Sequence, residues 1–413
     1  ISCGDNDNLM SFSEGTHLYL QQHRIPHIFY VEPGGHDFNV WKNDLYLFSQ
    51  LLFKPVKTSS FDKYGLHGAR AESNVRNSKY PQLTADHRAI FRIKAPDAQK
   101  VQIDLGRKYD MVRQEGGIWE TVTDSLGEGF HYYSLLIDGV AVADPGSETF
   151  YGMGRMASGI EVPFKGEEYY ALKDVPHGDI RMKRYYSEVS RSWRRFFVYT
   201  PAGYDTHTAE KYPVLYLLHG GGEDERGWAT QGKTDLIMDN LIAEGKAKPM
   251  LIVMLDGNMP SAGFNAGALK AELMQAVIPF VEDNYRVRKE ADSRALAGLS
   301  MGGIQTLYAG LYHTDLFAHL GVFSSGWLPF YQKIADGQYE FINKNKAAID
   351  SQLRLLWIAM GGKEDIAYQN CQNMLKEFDT LKLKYTYSEY PGGHTWPVWR
   401  NNLYNFAQLL FNK

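Results

Sequence analysis

A serine between two glycines is the strongest chemical signal in the sequence. Gly298, Ser300 and Gly302 form the pattern G-x-S-x-G, which presents a nucleophilic hydroxyl where a strand turns sharply into a helix. The local sequence fits that context, because residues 294–297 form a short strand-like run and residues 304–312 follow helical spacing. Glycines beside the serine allow the tight turn and keep Cβ atoms away from it. We therefore predict that Ser300 is the nucleophile of an acyl-transfer reaction.

A nucleophilic serine needs a base, and this arrangement uses the chain order serine, acid, histidine. His394 lies in the sequence Pro-Gly-Gly-His just after the strand-like run 385–390, so we predict that it is the base. The acid is expected where the preceding apolar run, 353–360, ends. Glu364 and Asp365 both qualify by position.

The charge that develops on a substrate carbonyl oxygen needs backbone N–H donors. The amide of Met301 is one predicted donor, since this residue follows the nucleophile. The second is expected in the loop after an earlier strand, and the sequence HGGG at residues 219–222 follows the apolar run 214–218. Gly221 is our first choice, and Gly222 is the alternative.

An internal repeat distinguishes the two acid candidates. Residues 33–53 and 391–411 are identical at 14 of 21 positions with a constant offset of 358. The same offset places Asp7 on Asp365 and His36 on His394, whereas Glu364 corresponds to an asparagine. We therefore predict Asp365 as the acid.

The repeat also predicts what the first part of the chain is. Residues 1–55 correspond to the last part of the C-terminal domain and lack a serine elbow, so we expect Asp7 and His36 to be catalytically silent. We interpret the segment as the C-terminal fragment of a first, similar domain whose front is missing from this chain. Its apolar residues need cover, and we expect them to pack on another domain or a neighbouring chain; they include Ile28, Phe29, Leu51, Leu52 and Phe53.

The elements that position these residues change in type along the chain. Short alternating runs with turn signals between them predict a β-sandwich over residues 80–170, after a polar linker at 56–79. From 171 to 413, continuous apolar runs alternate with helical patterns, which is typical of a parallel sheet covered on both faces. The predicted fold class is α/β, with an α/β-hydrolase domain preceded by the sandwich and by the N-terminal fragment.

Composition narrows the classes of function. The 413 residues carry a net charge of −4, which gives no electrostatic reason to expect nucleic acid or an anionic membrane as a partner. No apolar run approaches the ~20 residues that span a bilayer. Two cysteines cannot form a disulfide framework or a cysteine-based metal site. We predict neither a metal nor a cofactor.

The motifs together resemble carbohydrate esterase family 1, which contains feruloyl and acetyl xylan esterases. The resemblance rests on GLSMGG, LHGGGEDERGW, WIAMGGKED and PGGHTWPVWRNNL, and the middle segment resembles the Ig-like early-set domain found ahead of such esterases in gut and rumen Bacteroidetes. It implies feruloylated or acetylated xylan and its oligosaccharides as substrates, and a secreted, periplasmic or cell-surface location. It also suggests substrate contacts at Trp228, Trp396, Asp256 and Asn258, and packing in the core is the alternative role of the two tryptophans.

Three activities and one binding role remain as alternatives at this stage. A feruloyl esterase is the preferred hypothesis, followed by an acetyl xylan esterase. A siderophore (catecholate) esterase is the third, because such enzymes also join an early-set domain to this fold. The sandwich could instead bind glycan, or serve only as a spacer. The missing first esterase domain is the expected protein partner of residues 1–55.

Overall fold

A computed structural model describes residues 1–22, 25, 27–53, 68–163, 166–260 and 265–412. These residues form two compact units. The first comprises Ile1–Ile103, Arg107–Gly127 and Leu136–Gly139, and the second Asp104–Gly106, Glu128–Leu135 and Val140–Lys413. The predicted sandwich, residues 80–170, is thus divided between the two units, and its assignment as one early-set domain stays a prediction. Most of the predicted linker lies outside the described residues.

The first thirteen strands lie before residue 163. They are β1 (Ser2–Gly4), β2 (Tyr30–Glu32), β3 (Ala69–Arg70), β4 (Gln82–Leu83), β5 (Arg88–Lys94), β6 (Val101–Asp104), β7 (Lys108–Asp110), β8 (Val112–Arg113), β9 (Ile118–Ser125), β10 (Gly129–Ile137), β11 (Val140–Val142), β12 (Thr149–Gly152) and β13 (Arg155–Val162). The strand content over 80–162 confirms that the middle of the chain is rich in β-structure.

The remaining strands belong to one sheet in the second unit. They are β14 (Asp179–Ser187), β15 (Ser192–Thr200), β16 (Val214–Leu218), β17 (Leu251–Leu255), β18 (Arg294–Leu299), β19 (His319–Phe323), β20 (Leu355–Met360) and β21 (Thr386–Glu389).

The α-helices of the described residues lie before residue 52 or after residue 233. They are α1 (Met10–Gln22), α2 (Phe38–Leu51), α3 (Thr234–Ala243), α4 (Ala266–Glu272), α5 (Ile278–Asn284), α6 (Met301–Tyr312), α7 (Gln332–Gln352), α8 (Tyr368–Thr380) and α9 (Trp396–Leu409). No helix of the described residues combines the length and the apolarity that crossing a membrane requires.

The eight-stranded sheet has the order β14-β15-β17-β16-β18-β19-β20-β21. Strands β14 and β15 pair antiparallel, β15 pairs antiparallel with β17, and the strands from β17 to β21 are parallel. Numbered along the chain, the strand order is 1-2-4-3-5-6-7-8, the open α/β-hydrolase arrangement. The predicted α/β fold class is confirmed.

The core lies on both faces of this sheet. In β16, Val214, Tyr216 and Leu218 pack into one apolar cluster, and Leu215 and Leu217 pack into the other. Alternate side chains of a strand point to opposite faces, so a strand covered on both sides is apolar at every position. This burial explains why the strand runs were continuous in the sequence. Because the strands from β17 to β21 are parallel, their carboxyl ends meet at one edge of the sheet. The predicted catalytic residues follow these ends.

Residues 1–53 form their own small arrangement within the first unit. Strand β1 pairs parallel with β2, and helix α1 connects them. Helices α1 and α2 have the same bounds as α8 and α9 when 358 is subtracted from the latter. The repeat of sequence is therefore a repeat of secondary structure.

Candidate active site

Ser300 lies between β18 and α6, as the motif predicts. Its backbone has φ 50° and ψ −114°, a conformation that residues other than glycine rarely adopt. The turn needs its glycines, because a Cβ on Gly298 would lie 2.4 Å from the backbone of Gly302, and one on Gly302 would lie 2.6 Å from the carbonyl oxygen of His219. Such local strain, held in place by a buried sheet, is common at functional sites. It presents the serine hydroxyl at the sheet edge.

The structure brings the three predicted catalytic side chains together. His394 Nε2 lies 2.9 Å from Ser300 Oγ, and His394 Nδ1 lies 2.8 Å from Asp365 Oδ1. With these partners, the tautomer assigned to the imidazole donates from Nδ1 to the carboxylate and accepts the serine proton at Nε2. Glu364 is exposed, whereas Asp365 is buried. Of the two acid candidates, Asp365 has the geometry to orient the histidine.

The carboxylate of Asp365 stays ionised although it is buried. Burial by itself would raise its pKa, but the hydrogen bond from His394 and a second one from the backbone N–H of Ala367, at 2.9 Å, together place the pKa below its ordinary value. A negative charge is therefore held beside the imidazole. That charge stabilises the imidazolium that forms when His394 takes a proton.

The two predicted oxyanion donors border the same cavity as the serine. Gly221 and Met301 line it together with Ser300 and His394. Gly222 has φ 77°, and its carbonyl oxygen accepts a hydrogen bond from Gly154 N–H at 2.8 Å. Gly221 lines the cavity and Gly222 does not, so Gly221 is the better placed of the two to donate to a substrate.

A buried polar network supports the oxyanion loop. Tyr132, from β10, donates to the Glu223 carboxylate at 3.0 Å and accepts from Trp396 Nε1 at 3.0 Å. Gln231 also donates to the Tyr132 hydroxyl. Burial raises the pKa of Glu223, so the hydrogen bonds around it act in a dry environment where they are strong. Tyr132 lies more than eighty residues before the loop, and nothing in the local sequence identified its role.

The cavity beside Ser300 has a volume of about 260 Å³. Its far wall is largely apolar, and the side chains that form it are Ile304, Leu328, Tyr331, Ile366 and Ala367. An apolar wall beside a nucleophile favours a ligand with a hydrophobic group near its reacting carbon. We call this cavity the acyl pocket.

The predicted substrate contacts of Trp228 and Trp396 are not what the structure has. Both indoles are buried, with 1% and 2% of their surface exposed. They pack edge to face at 5.3 Å, and Trp228 Nε1 donates to the carbonyl oxygen of Leu218 at 2.9 Å. Their aromatic surface is used in the core, which was the alternative that the sequence left open.

Asp256 and Asn258 lie away from the acyl pocket. They line a second cavity, of about 540 Å³, which does not include the serine or the histidine. His219 connects this region to the oxyanion loop, because its Nε2 accepts from Gly257 N–H at 2.9 Å and its Nδ1 lies 2.8 Å from the Gly220 carbonyl oxygen. Asp256 and Asn258 therefore do not line the cavity that contains Ser300 and His394, contrary to the expectation.

The N-terminal copy has half of the same site. His36 Nδ1 lies 2.9 Å from Asp7 Oδ2, and Asp7 Oδ1 accepts from Leu9 N–H at 2.8 Å. The matching carboxylate of Asp365 receives the corresponding backbone hydrogen bond from Ala367. The acid–histidine geometry is thus repeated together with the sequence.

The fold and the arrangement at Ser300 define an α/β-hydrolase. The sequence matches the esterase family over residues 187–408, which is more than half of the chain. The chain therefore belongs to this esterase family. The match begins at the last residue of β14 and ends within α9, so it covers β15 to β21 and every residue of the predicted triad.

Curated relatives narrow the comparison further. An endo-1,4-beta-xylanase/feruloyl esterase of Xylanibacter ruminicola is 36% identical over 358 residues, which is 82% of this chain and 47% of that protein. Endo-1,4-beta-xylanase Y of Acetivibrio thermocellus is 27% identical over 67% of this chain and 27% of its own length. The chain thus spans less than half of these relatives.

Solved structures agree on the fold. The feruloyl esterase module from Clostridium thermocellum, complexed with sinapinate, matches with a TM-score of 0.52 and 26% identity, over 60% of this chain and 93% of that one. An enterobactin esterase from Shigella flexneri matches with a TM-score of 0.60 and 19% identity, over 79% of this chain and 94% of that one. At 19% identity, the second likeness concerns the fold alone.

Proposed function

We propose that this protein is a carbohydrate esterase that hydrolyses hydroxycinnamoyl esters, such as feruloyl esters, on plant cell-wall xylan. The observation that carries the proposal is a Ser300–His394–Asp365 array that opens onto an apolar acyl pocket. The 36% identity to a xylanase/feruloyl esterase supports the same substrate class.

The acylation step uses the hydrogen bonds already described. Ser300 Oγ attacks the ester carbonyl carbon while His394 Nε2 takes the hydroxyl proton, and Asp365 stabilises the imidazolium. The backbone N–H groups of Met301 and Gly221 receive the negative charge on the carbonyl oxygen. The C–O bond to the alcohol then breaks, and His394 returns the proton to the leaving alkoxide. The products are an acyl-serine and the free sugar hydroxyl.

Deacylation reverses the roles with water in place of the alcohol. His394 takes a proton from the water as its oxygen attacks the acyl carbon, and the same two amides hold the oxyanion. Collapse of this second intermediate breaks the bond to Ser300 Oγ, and His394 gives the proton back to the serine. The free acid leaves, and the site is restored.

The size of the acyl pocket favours a large acyl group. Its volume of about 260 Å³ is several times the ~30 Å³ that one water occupies in the liquid. An acetyl group would leave most of this space without apolar contacts, whereas an aromatic acyl chain could pack against Leu328, Tyr331 and Ile366. The acyl preference therefore follows from the pocket, not from the triad, which serves any ester.

A substrate panel on the purified protein and its Ser300→Ala variant tests the proposal. We expect release of ferulate from methyl ferulate and from feruloylated arabinoxylan, with no release by the variant. Acetylated xylan and 4-nitrophenyl acetate are the comparison substrates. If only the acetyl esters are cleaved, the acyl assignment is wrong and the serine mechanism stands. If the variant is as active as the wild type, the mechanism is wrong.

A siderophore esterase is the second candidate. The enterobactin esterase likeness covers 79% of the chain, compared with 60% for the feruloyl esterase module, so it extends beyond the hydrolase sheet. An iron(III) enterobactin esterase of Escherichia coli is also 26% identical over 64% of the chain. Turnover of a ferric catecholate triester faster than of methyl ferulate would favour this candidate.

The parts of the chain outside the hydrolase sheet have proposed roles too. Residues 1–55 are proposed as the C-terminal fragment of a first esterase-like domain, whose remaining part would cover α2, and the segment 80–170 as an early-set spacer. We also propose that the protein is secreted and belongs to carbohydrate esterase family 1, which the 36% identity to a xylanase/feruloyl esterase supports. Binding of residues 80–170 to xylan is the alternative role for the sandwich segment. A xylan gel should retard the Ser300→Ala protein if this role is correct, and the retardation should be lost when surface residues of 80–170 are changed while the second cavity, which holds Asp256 and Asn258, is left intact.

A further inference from the structure

The cavity that holds Asp256 and Asn258 is a second site on the hydrolase unit. We propose that it binds the sugar on the alcohol side of the scissile ester, a neutral pentose oligosaccharide. We call it the glycan cleft. The inference deepens the proposed function and rests on it, because it names which part of a feruloylated xylan substrate lies where.

The two cavities lie on either side of one short loop. Gly221 lines the acyl pocket, and Asp224 lines the glycan cleft. These two residues are three positions apart in the chain, so their Cα atoms lie at most about 11 Å from each other. A substrate whose carbonyl carbon lies at Ser300 can therefore place its acyl group in one cavity and its alcohol in the other. No residue is shared between the two linings, so their ligand preferences are set independently.

The glycan cleft presents an aromatic platform. Trp193, from β15, is 73% exposed although it is one of the largest apolar side chains in the protein. It is supported by Tyr186, whose ring meets it edge to face at 5.8 Å. Tyr151 lines the same cleft, with the Arg226 guanidinium 5.0 Å from its ring centre. A sugar ring has an apolar C–H face that can stack on such a platform, where an exposed indole gains most from cover.

The charges of the cleft cancel. Arg195 forms an ion pair with Glu225, and Arg194 donates to the Asp256 carbonyl oxygen at 2.6 Å while it lies 3.4 Å from Glu272. Three arginines and three carboxylates line the cleft in total, and they are Arg184, Arg194, Arg195, Asp224, Glu225 and Asp256. A balanced set of this kind offers donors and acceptors to hydroxyl groups without attracting an ion. A neutral glycan fits it better than a trianionic ferric catecholate.

Some of these polar groups have capacity left for a ligand. Arg184 is exposed, and its side chain forms no hydrogen bond or ion pair with another described residue. Asn258 Nδ2 donates to the Glu223 carbonyl oxygen at 2.8 Å, which leaves the amide oxygen for a hydroxyl donor. The residues are thus held in place by one set of contacts and remain able to make others.

Kinetics with two esters of the same acid test the proposal. We compare Trp193→Ala with the wild type on methyl ferulate and on a feruloylated arabinoxylo-trisaccharide. The variant should lose about tenfold in kcat/KM on the oligosaccharide, mainly through KM, and stay within twofold on methyl ferulate. Arg184→Ala should show the same selectivity with a smaller loss. The proposal would be overturned if the ratio of kcat/KM on the oligosaccharide to kcat/KM on methyl ferulate were the same in the wild type and in Trp193→Ala.

A matched control acts on the other cavity. Ile366 is 79% exposed and lines the acyl pocket, so Ile366→Ala should lower kcat/KM on both substrates by the same factor.

Direct binding separates this proposal from the proposed function. Unsubstituted xylotriose should change the tryptophan fluorescence of the wild type and not of Trp193→Ala, whatever ester the enzyme cleaves. If the wild type fails to cleave methyl ferulate, the acyl assignment fails; if xylotriose binds neither protein, the glycan cleft fails.

Discussion

Residues 1–53 and 359–411 share their helix bounds and an acid–histidine pair, but the surroundings of their last helices differ. Leu403 and Phe406 of α9 are fully buried, and Phe406 stacks on Trp357 of β20 at 5.8 Å. The matching residues of α2, Leu45 and Phe48, are 66% and 57% exposed. The same amphipathic helix is a core element in one place and an uncovered one in the other.

The acid–histidine pair depends on local sequence, whereas burial of the last helix depends on tertiary structure. The dyad forms in both copies because its acid accepts a backbone N–H two residues further on, and because a glycine pair precedes the histidine. The last helix needs a parallel sheet to cover its apolar face. Within the described residues, β20 and β21 of the C-terminal copy belong to a sheet that continues through β16 to β19, whereas β1 and β2 form a sheet of two strands. The described residues of 1–53 also contain no serine elbow. The predicted silence of Asp7 and His36 follows from this difference.

Removing the two histidines should give the largest contrast. His394→Ala should lower kcat by on the order of 10⁵–10⁶, as loss of a triad member does. His36→Ala should leave kcat within twofold, because no described serine elbow accompanies it. Steady-state hydrolysis of the best substrate from the panel measures both. A comparable loss in both variants would mean that the N-terminal copy takes part in the reaction.

The two aspartates should differ in the same sense. Asp365→Asn should keep the fold and lower kcat by about 10⁴-fold, since the amide favours the wrong imidazole tautomer. Asp7→Asn should have no effect on rate. Circular dichroism checks that both variants are folded. Retention of activity by Asp365→Asn, together with its loss in a Glu364→Gln variant, would move the role of acid to Glu364.

Stability should distinguish the two last helices. Leu403→Ala removes a fully buried side chain, and we expect the free energy of unfolding to fall by about 2–5 kcal/mol. Leu45→Ala acts at an exposed position and should cost no more than about 0.5 kcal/mol. Urea unfolding followed by tryptophan fluorescence measures both. A large loss in Leu45→Ala would contradict this expectation and show that α2 is covered in solution.

Acid sensitivity should give the smallest effect. The pKa of Asp7 is lowered chiefly by the N–H of Leu9, and that of Asp365 by His394 and Ala367 against the effect of burial. A carboxylate with a depressed folded pKa stabilises the fold fully above its unfolded value, near 3.8, and this contribution is lost as the pH falls through the lower folded value. Thermal unfolding of Asp365→Asn should therefore depend less on pH below about 4 than that of the wild type. An unchanged slope would contradict the pairing.

The triad was predictable because its members lie in short local patterns. Ser300 follows an apolar strand, His394 follows a glycine pair, and the repeat selected Asp365 over its neighbour. Each of these positions is defined by the chain within a few residues, so spacing and residue type carry the information. The same reasoning gave the α/β class, since continuous apolar strands need cover on both faces.

The substrate contacts were less predictable. Trp228 and Trp396 looked equally suited to a pocket or a core, and only their packing against each other decided for the core. Asp256 and Asn258 were placed at the catalytic edge, but the fold of the loop after β17 turns them toward a separate cleft. Tyr132 was not identified at all, because its partners come from segments far away in the chain.

The sequence by itself determined which serine, histidine and aspartate come together and the strand–turn–helix that holds the serine, because each depends on residues that are close along the chain. Tertiary structure decided which aromatics are buried, how the oxyanion loop is supported, and that a polar cleft lies beside an apolar pocket. These features arise where side chains from distant segments meet, and burial and charge balance are properties of that meeting. Residues 1–53 show the distinction within one chain, since the same local pattern forms the dyad without the cover that would make it a site.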